Sequence, residues 1–253
     1  MVGLTVVEQG ARMIREDEEQ LQVRQFLGEQ PGFFVEVGAN HPFIGSQSFH
    51  LELRGWQGIL IEPQPDLAEE LVNQRKAKVF AVGCSSPNNA GMRLPFYLAG
   101  PMSALDRERM APGSMPEAVI EVEIRTLDDI LAEAHAPEPI DFLSLDTEGH
   151  EVDVLRGFDV NRWRPRLILV EDHVANLKTH RFLKSIGYKL IRRTGYNGWY
   201  VPERLPVSLD WSDRAQIIHK YYLGLPFRVL HNASRRLRQP FKDRRAAVRR
   251  GGR

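Results

Sequence analysis

The alternation of short apolar runs with segments of helical periodicity limits this chain more than any other feature. Five runs of five to seven residues are rich in Val, Ile, Leu and Phe, at 33–37, 58–62, 77–82, 140–146 and 167–171. Uninterrupted apolar runs of this length are typical of strands that are buried on both faces of a parallel sheet. Because helical segments separate them, we expect βαβ units with helices on both faces of the sheet.

Other segments predict one further helix and several further strands. Residues 11–29 have the spacing of an amphipathic helix, and residues 94–98 and 119–124 indicate further strands, the second of them at an edge. Two runs at 188–192 and 198–201 flank the turn 194–197, which predicts a hairpin. The hairpin would add an antiparallel strand at one edge of the sheet.

The net charge of +1 is an average of two unlike parts. Residues 203–253 contain 13 Lys/Arg and 4 Asp/Glu, whereas the rest contains 21 Lys/Arg and 29 Asp/Glu. The chain is therefore divided into an N-terminal helical segment (1–30), an acidic body (31–202) and a basic C-terminal extension (203–253). Within the extension, spacings of three and four predict one helix face formed by Phe227, Leu230, Ser234, Leu237 and Phe241.

A basic amphipathic segment is typical of proteins that lie on an anionic membrane surface. Docking on the acidic body, an oligomer contact and a disordered solubilising tail are the alternatives. Nucleic acid is not an expected partner, because the body is acidic and no aromatic–basic recognition motif is present.

The remaining composition favours a cytoplasmic protein, with the inner face of the membrane as the place where the extension would bind. Cys84 is the single cysteine, so no internal disulfide can form. No run of 18 apolar residues is present, and the first ten residues lack the basic flank and apolar core of a signal peptide.

Polar residues follow the first two predicted strands, at the sheet edge where α/β proteins bind ligands. Gly38 follows the first strand and lets the backbone approach a ligand closely. Glu62 ends the second strand, and its carboxylate suits a ribose diol. Glu36 precedes a turn that lacks the full dinucleotide pattern, and it suits an amino group. Adenosylmethionine supplies a ribose, an amino group and a sulfonium, although a structural glycine and a helix-capping acid remain alternatives.

A second group of acids lies at the ends of the fourth and fifth predicted strands. Asp146 with Glu171 and Asp172 would suit Mg²⁺ or another divalent cation, which can lower the pKa of a bound hydroxyl. In the alternative, Asp146 contacts the cofactor or caps a helix while the other two acids line a solvated cleft. His150 and His173 are the candidate general bases, with structural or metal-binding roles as the alternatives.

The order of these motifs resembles the FkbM family of adenosylmethionine-dependent O-methyltransferases over residues 30–202. The matching segments are FVEVGAN (34–40), GILIEP (58–63), RTLD (125–128), IDFLSLDTEGHE (140–151) and VLRG (154–157). The resemblance implies a Rossmann-like class I methyltransferase fold with a mostly parallel seven-stranded sheet. It also implies that Glu36, Gly38, Asn40 and Glu62 surround the cofactor. The family often has Asp at position 36 and a glycine soon after Asn40, and this chain departs from both.

The sequence thus predicts an O-methyltransferase that acts on a hydroxyl, in a sugar of a glycolipid or polysaccharide precursor, with Mg²⁺ assistance. Its predicted cofactor contacts also include Ala39, Ser46, Pro63 and Ser103. The alternatives are a nicotinamide-dependent oxidoreductase of similar fold and a catalytically inactive binding or scaffold protein at the membrane surface.

Overall fold

A computed structural model describes residues 17–107, 115–172, 177–224 and Leu230. Within these residues the α-helices are α1 (Glu18–Leu27), α2 (Phe49–Glu52), α3 (Pro65–Gln74), α4 (Leu127–Glu133), α5 (Glu151–Arg156), α6 (Val160–Trp163), α7 (Lys178–Ser185) and α8 (Trp211–Ile218). The strands are β1 (Phe33–Val37), β2 (Gln57–Ile61), β3 (Lys78–Phe80), β4 (Gly83–Cys84), β5 (Arg93–Leu98), β6 (Ala118–Arg125), β7 (Phe142–Leu145), β8 (Leu167–Glu171), β9 (Tyr188–Thr194) and β10 (Asn197–Pro202). A 3₁₀ turn spans Pro87–Asn89, and a π-helical turn spans His219–Leu223.

Seven of the described strands form one sheet in the order β3-β2-β1-β7-β8-β10-β9. The first five strands of this order pair in parallel, whereas β10 is antiparallel to both of its neighbours. The predicted Rossmann-like class I fold, with its mostly parallel sheet and hairpin, is confirmed. The antiparallel strand is not outermost, because β9 covers it. The strand order reverses between β1 and β7, which is where open α/β sheets form a ligand crevice.

Both faces of this sheet are covered, which explains the continuous apolar runs. In β1, Val35 and Val37 pack into one apolar cluster with α4, α5 and α7, whereas Phe34 packs into the opposite cluster with α1 and α3. In β7, Leu143 and Phe142 are divided between the same two clusters. Since successive side chains of a strand point to opposite faces, both strands are largely apolar along their whole length, with the buried Glu36 in β1 and Ser144 in β7 as the polar exceptions.

A separate three-stranded sheet has the order β4-β6-β5 among the described residues. The prediction that 119–124 forms an edge strand is wrong, because β6 is the central strand of this sheet. One face of the sheet packs on a small cluster of Phe96, Val122 and Ile124, and the acids that alternate with them are exposed. The alternation of apolar and acidic residues in β6 therefore indicates that one face of the sheet is exposed to solvent, and does not indicate an edge strand.

The N-terminal helix begins later than the periodicity predicts, as far as it is described. Asp17 caps α1 and forms a capping box with Gln20, and the helix ends before Gly28. Residues 11–16 of the predicted helix lie outside the described residues.

Part of the C-terminal extension packs on the body. In α8, Asp213 accepts two hydrogen bonds from the guanidinium of Arg192 in β9, at 2.7 and 3.2 Å. Gln216 accepts a bond from the backbone N–H of Arg193 at 2.8 Å. Of the predicted amphipathic face at 227–241, the structure describes Leu230, which is exposed; the other positions lie outside the described residues.

Two glycines with the same backbone conformation differ in their surroundings. Gly38, directly after β1, has φ +81°, and a Cβ on it would lie 1.8 Å from the carbonyl oxygen of Asp146. Gly45 has φ +79°, with no atom within 4 Å of such a Cβ. The first position therefore requires glycine for close packing as well as for its positive φ.

We expect Gly45→Ala to lower the free energy of unfolding by about 1 kcal/mol, the cost of a left-handed alanine. Gly38→Ala should lower it by about 2–4 kcal/mol, because the backbone of Asp146 must also move. Urea denaturation of the two variants measures the difference. Equal losses would contradict the close approach of the two strand ends.

A buried ion pair joins the extension to the end of β8. Lys220 is 0% exposed and its ammonium contacts the carboxylate of Asp172, which is 2% exposed. Tyr200 donates its hydroxyl proton to the same carboxylate at 2.6 Å. Because removal of one partner leaves a buried charge, Lys220→Met should cost about 3–5 kcal/mol of stability.

The double variant Lys220→Met/Asp172→Asn removes both charges and should be more stable than Lys220→Met alone. Thermal and urea unfolding of the two variants tests this order. If the double variant were less stable than the single one, the ion pair would not be the reason for the loss.

Candidate active site

The loops after β1 and β2 lie together at the C-terminal edge of the sheet. The backbone N–H groups of Gly38 and Ala39 donate to the carbonyl of Ile61 at 2.9 and 3.1 Å. The N–H of Asn40 donates to a carboxylate oxygen of Glu62 at 2.8 Å. Five predicted cofactor residues, which are Gly38, Ala39, Asn40, Glu62 and Pro63, are thus brought to one place.

Glu36 lies beneath this place and is bonded to the chain itself. It is 4% exposed and accepts hydrogen bonds from the N–H of Gln47 at 2.6 Å, from the hydroxyl of Ser46 at 3.0 Å and from the hydroxyl of Ser48. Arg75 donates to both hydroxyls, at 3.1 and 3.0 Å. This arrangement does not match the expectation that Glu36 pairs with an amino group; Glu36 and Ser46 fix the loop that follows Asn40.

Glu62 keeps some capacity to bind. One oxygen accepts from Asn40 and the other from the N–H of Gln64 at 2.8 Å. Burial raises the pKa of Glu62, and these two backbone bonds oppose the rise. A carboxylate offers about four acceptor positions, so two remain for the hydroxyls of a ligand.

A cluster of three carboxylates lies beyond β7 and β8. Asp146, Glu148 and Glu171 each have an oxygen within 4.8 Å of the others. The pKa of each is raised to about 7, first by loss of hydration and then by repulsion from neighbouring carboxylates. Although part of Asp146 is exposed, its carboxylate lies deep among protein atoms, which accounts for its desolvation. A cation or a shared proton would relieve this repulsion.

Glu148 belongs to this cluster although the sequence pattern does not predict it there. Its backbone is left-handed, with φ 51°, and Gly149 follows with φ 92°. Glu151 shapes this turn by accepting bonds from the N–H of Gly149 at 2.8 Å and from the hydroxyl of Thr147 at 3.2 Å. The only available sequence signal was a second acid two residues after the strand, followed by glycine.

Asp172 does not join Asp146 and Glu171, so the predicted acidic set is corrected. Its carboxylate contacts Tyr200 and Lys220 instead. Because consecutive residues at a strand end point to opposite faces, Glu171 lies in the carboxylate cluster and Asp172 points into the interior. Glu148 occupies the third place in the cluster.

The other predicted site residues lie elsewhere. His150 does not line the cleft described below; its Nε2 is 2.8 Å from the hydroxyl of Ser85, and its Nδ1 is 3.8 Å from Asp153. Ser103 stabilises a turn, donating to the carbonyl of Gly100 at 2.6 Å and accepting from the N–H of Ala99 at 2.9 Å. His173 lies outside the described residues.

A cleft of about 730 Å³ opens beside the carboxylate cluster. Asp146 and Glu171 lie on its inner side, and its other sides are formed by α1, the turn between β9 and β10, and α8 with its N-cap. This volume is within the range of small-molecule sites. Among the described residues, no helix is both long enough and apolar enough to cross a membrane.

Comparisons with known proteins place the chain among methyltransferases of one family. A model of the "Methyltransferase FkbM domain" matches residues 36–190. "Methyltransferase 1" of Beauveria bassiana is 25% identical over 152 residues, which cover 52% of this chain and 60% of that protein's length.

Two solved structures are similar. The methyltransferase FkbM of Methylobacillus flagellatus has 17% identity and a TM-score of 0.43, with 68% of this chain and 43% of that one covered. Monomeric WbdD has 12% identity and a TM-score of 0.42, with 70% of this chain and 38% of that one covered.

The family match extends over more than half of the chain. It contains the end of β1 and all of β2 and β7, and therefore the loops of Gly38, Glu62 and Asp146. The chain belongs to the FkbM methyltransferase family.

Proposed function

We propose that the protein transfers a methyl group from adenosylmethionine to a hydroxyl of a sugar, in a glycolipid or polysaccharide precursor. One observation supports this most. The segment matched by the family model brings Glu62 and the carboxylate cluster to the same edge of the sheet, on either side of the β1–β7 crevice.

The residues around Glu62 fit the donor. Adenosylmethionine supplies an electrophilic methyl group when it is bound. Glu62 would accept hydrogen bonds from the two ribose hydroxyls at its remaining acceptor positions. The acids after β7 would attract the positively charged sulfonium and amino groups of the donor to their side of the crevice. Glu36 would act through the loop at 46–48, which it holds in place.

The carboxylate cluster supplies a proton acceptor. A hydroxyl loses its proton as it is methylated, and a general base works best when its pKa is near the working pH. Asp146 and Glu171 line the cleft, and their pKa values of about 7 meet this condition. In the cluster without a bound cation, a carboxylate oxygen of one of them would accept the proton. A role for His150 or His173 as the base remains a prediction, and the contact with Ser85 favours a structural role for His150.

A divalent cation such as Mg²⁺ is part of the proposal. Asp146, Glu148 and Glu171 offer hard carboxylate oxygens, which this ion prefers, and their raised pKa values mean that negative charge there is poorly compensated. When bound, the cation would lower the pKa of the acceptor hydroxyl.

We also propose a cytoplasmic location and contact with an anionic membrane surface through the basic extension. The supporting observation is the excess of Lys and Arg after residue 203, since such segments bind anionic lipids. A lipid-linked acceptor would then be held near the enzyme.

Isothermal calorimetry tests the donor. The protein should bind adenosylmethionine and not NAD, and Glu62→Gln should weaken that binding about 10–100-fold, since a hydrogen bond to a charged group contributes about 1.5–3 kcal/mol. Glu69→Gln, an exposed change on α3, is the matched control and should leave the affinity unchanged. Binding of NAD without binding of adenosylmethionine would refute the proposed activity.

Stability against pH tests the carboxylate cluster. A carboxyl whose pKa is raised from about 4.5 to about 7 by folding binds more protons in the native state between these values, so its contribution to stability falls as pH rises through them. Without divalent cations, Glu148→Gln should match the wild type near pH 5 and exceed its Tm by about 2–4 °C at pH 8.

Addition of Mg²⁺ at pH 8 should raise the Tm of the wild type more than that of Glu148→Gln. Glu69→Gln should behave as the wild type does in both conditions. A constant difference between wild type and Glu148→Gln at both pH values would mean that the cluster is not electrostatically strained.

A further inference from the structure

The cleft is assembled largely from segments outside the part of the chain that the family model matches. Asp146 and Glu171 on its inner side belong to residues 36–190, whereas α1, the β9–β10 turn and α8 do not. The matched segment therefore supplies the acids of the cleft, whereas segments outside the match supply most of its walls.

Specific contacts hold these outer segments in place. Glu19 of α1 accepts hydrogen bonds from the side chains of Asn197 at 2.8 Å, Gln47 at 3.1 Å and Thr194. On the other side, Arg192 and Asp213 join β9 to α8. The cleft is thus already formed before a ligand binds, as is usual for small-molecule sites.

Arg193 indicates what kind of atom the cleft lacks. It lines the cleft and is 8% exposed, and one of its terminal nitrogens donates to the carbonyl of Asp172 at 2.8 Å. Its Nε is buried and has no hydrogen-bond partner. A buried donor without a partner is costly. The part of the guanidinium that lines the cleft carries further N–H donors, which an oxygen atom of a ligand could accept from.

The charge of the cleft decides which oxygen-rich ligands can enter. Among the described residues, seven acidic and two basic side chains line it. Arg192 is already bonded to Asp213, and a divalent cation at the carboxylate cluster would still leave more acids than positive charges around the cleft. A carboxylate or phosphate on the ligand would be repelled, whereas hydroxyl groups can donate to the acids and accept from Arg193.

We propose that this cleft is the acceptor site and that it takes an uncharged glycan, excluding uronic acids and sugar phosphates. The inference rests on the proposed function, because it specifies the acceptor of the same reaction. Ser212 and Gln216 on α8 would contact the glycan, and Arg193 would donate to one of its oxygens.

Saturation-transfer NMR on the full chain tests this with two trisaccharides that differ in charge, mannotriose and trigalacturonate. Mannotriose should give a signal, and trigalacturonate should give at least tenfold less at equal concentration. Ser212→Trp, which fills the cleft, should abolish the mannotriose signal. Arg214→Trp, on the same helix but not lining the cleft, should preserve it.

Adenosylmethionine binding, measured on the same samples, separates the two proposals. If adenosylmethionine binds while neither trisaccharide does, or while trigalacturonate binds as well as mannotriose, the acceptor inference fails and the proposed methyl donor stands. Loss of the mannotriose signal in both tryptophan variants would also refute the inference. Absence of adenosylmethionine binding would instead refute the proposed function.

Discussion

The close contact between the ends of β1 and β7 is the constraint on which the site depends. Gly38 leaves no room for a side chain against the backbone of Asp146, so the two central strands end side by side. This contact brings the loop that reaches Glu62 next to the loop that presents Asp146. Because the strand order reverses at the same point, the crevice lies where helices do not cover it.

The acids at this edge of the sheet fall into two groups with different physical roles. Glu36 is surrounded by donors from its own chain, so its charge is compensated and it stabilises a loop. Asp146, Glu148 and Glu171 face one another instead, and their pKa values are raised by burial first and by that repulsion second. Groups that remain uncompensated in the folded chain are the ones available to a cation, a proton or a ligand hydroxyl.

The sequence predicted the large sheet well because burial on both faces makes successive residues of β1, β7 and β8 apolar, apart from Glu36, Ser144 and Glu171. It predicted which strand ends would be polar, but not where each side chain would point. The register of β8 against its neighbours decides whether Glu171 or Asp172 faces the cleft. The place of Glu148 in the cluster depends on the left-handed backbone conformation of that residue. The cleft itself could not be predicted, since Glu19 and Asn197 meet across a separation of 178 residues.

The opposite charges of the body and the extension meet inside the protein and not only at its surface. Lys220 belongs to the basic extension, yet its ammonium is fully buried against Asp172, the residue next to Glu171. A buried ion pair is sensitive to the position of both partners, because each charge is costly without the other. The extension up to residue 224 thereby fixes the end of β8, and through it the position from which Glu171 enters the cleft. The segment that forms one side of the proposed acceptor site also holds in place the acid proposed to act on the acceptor.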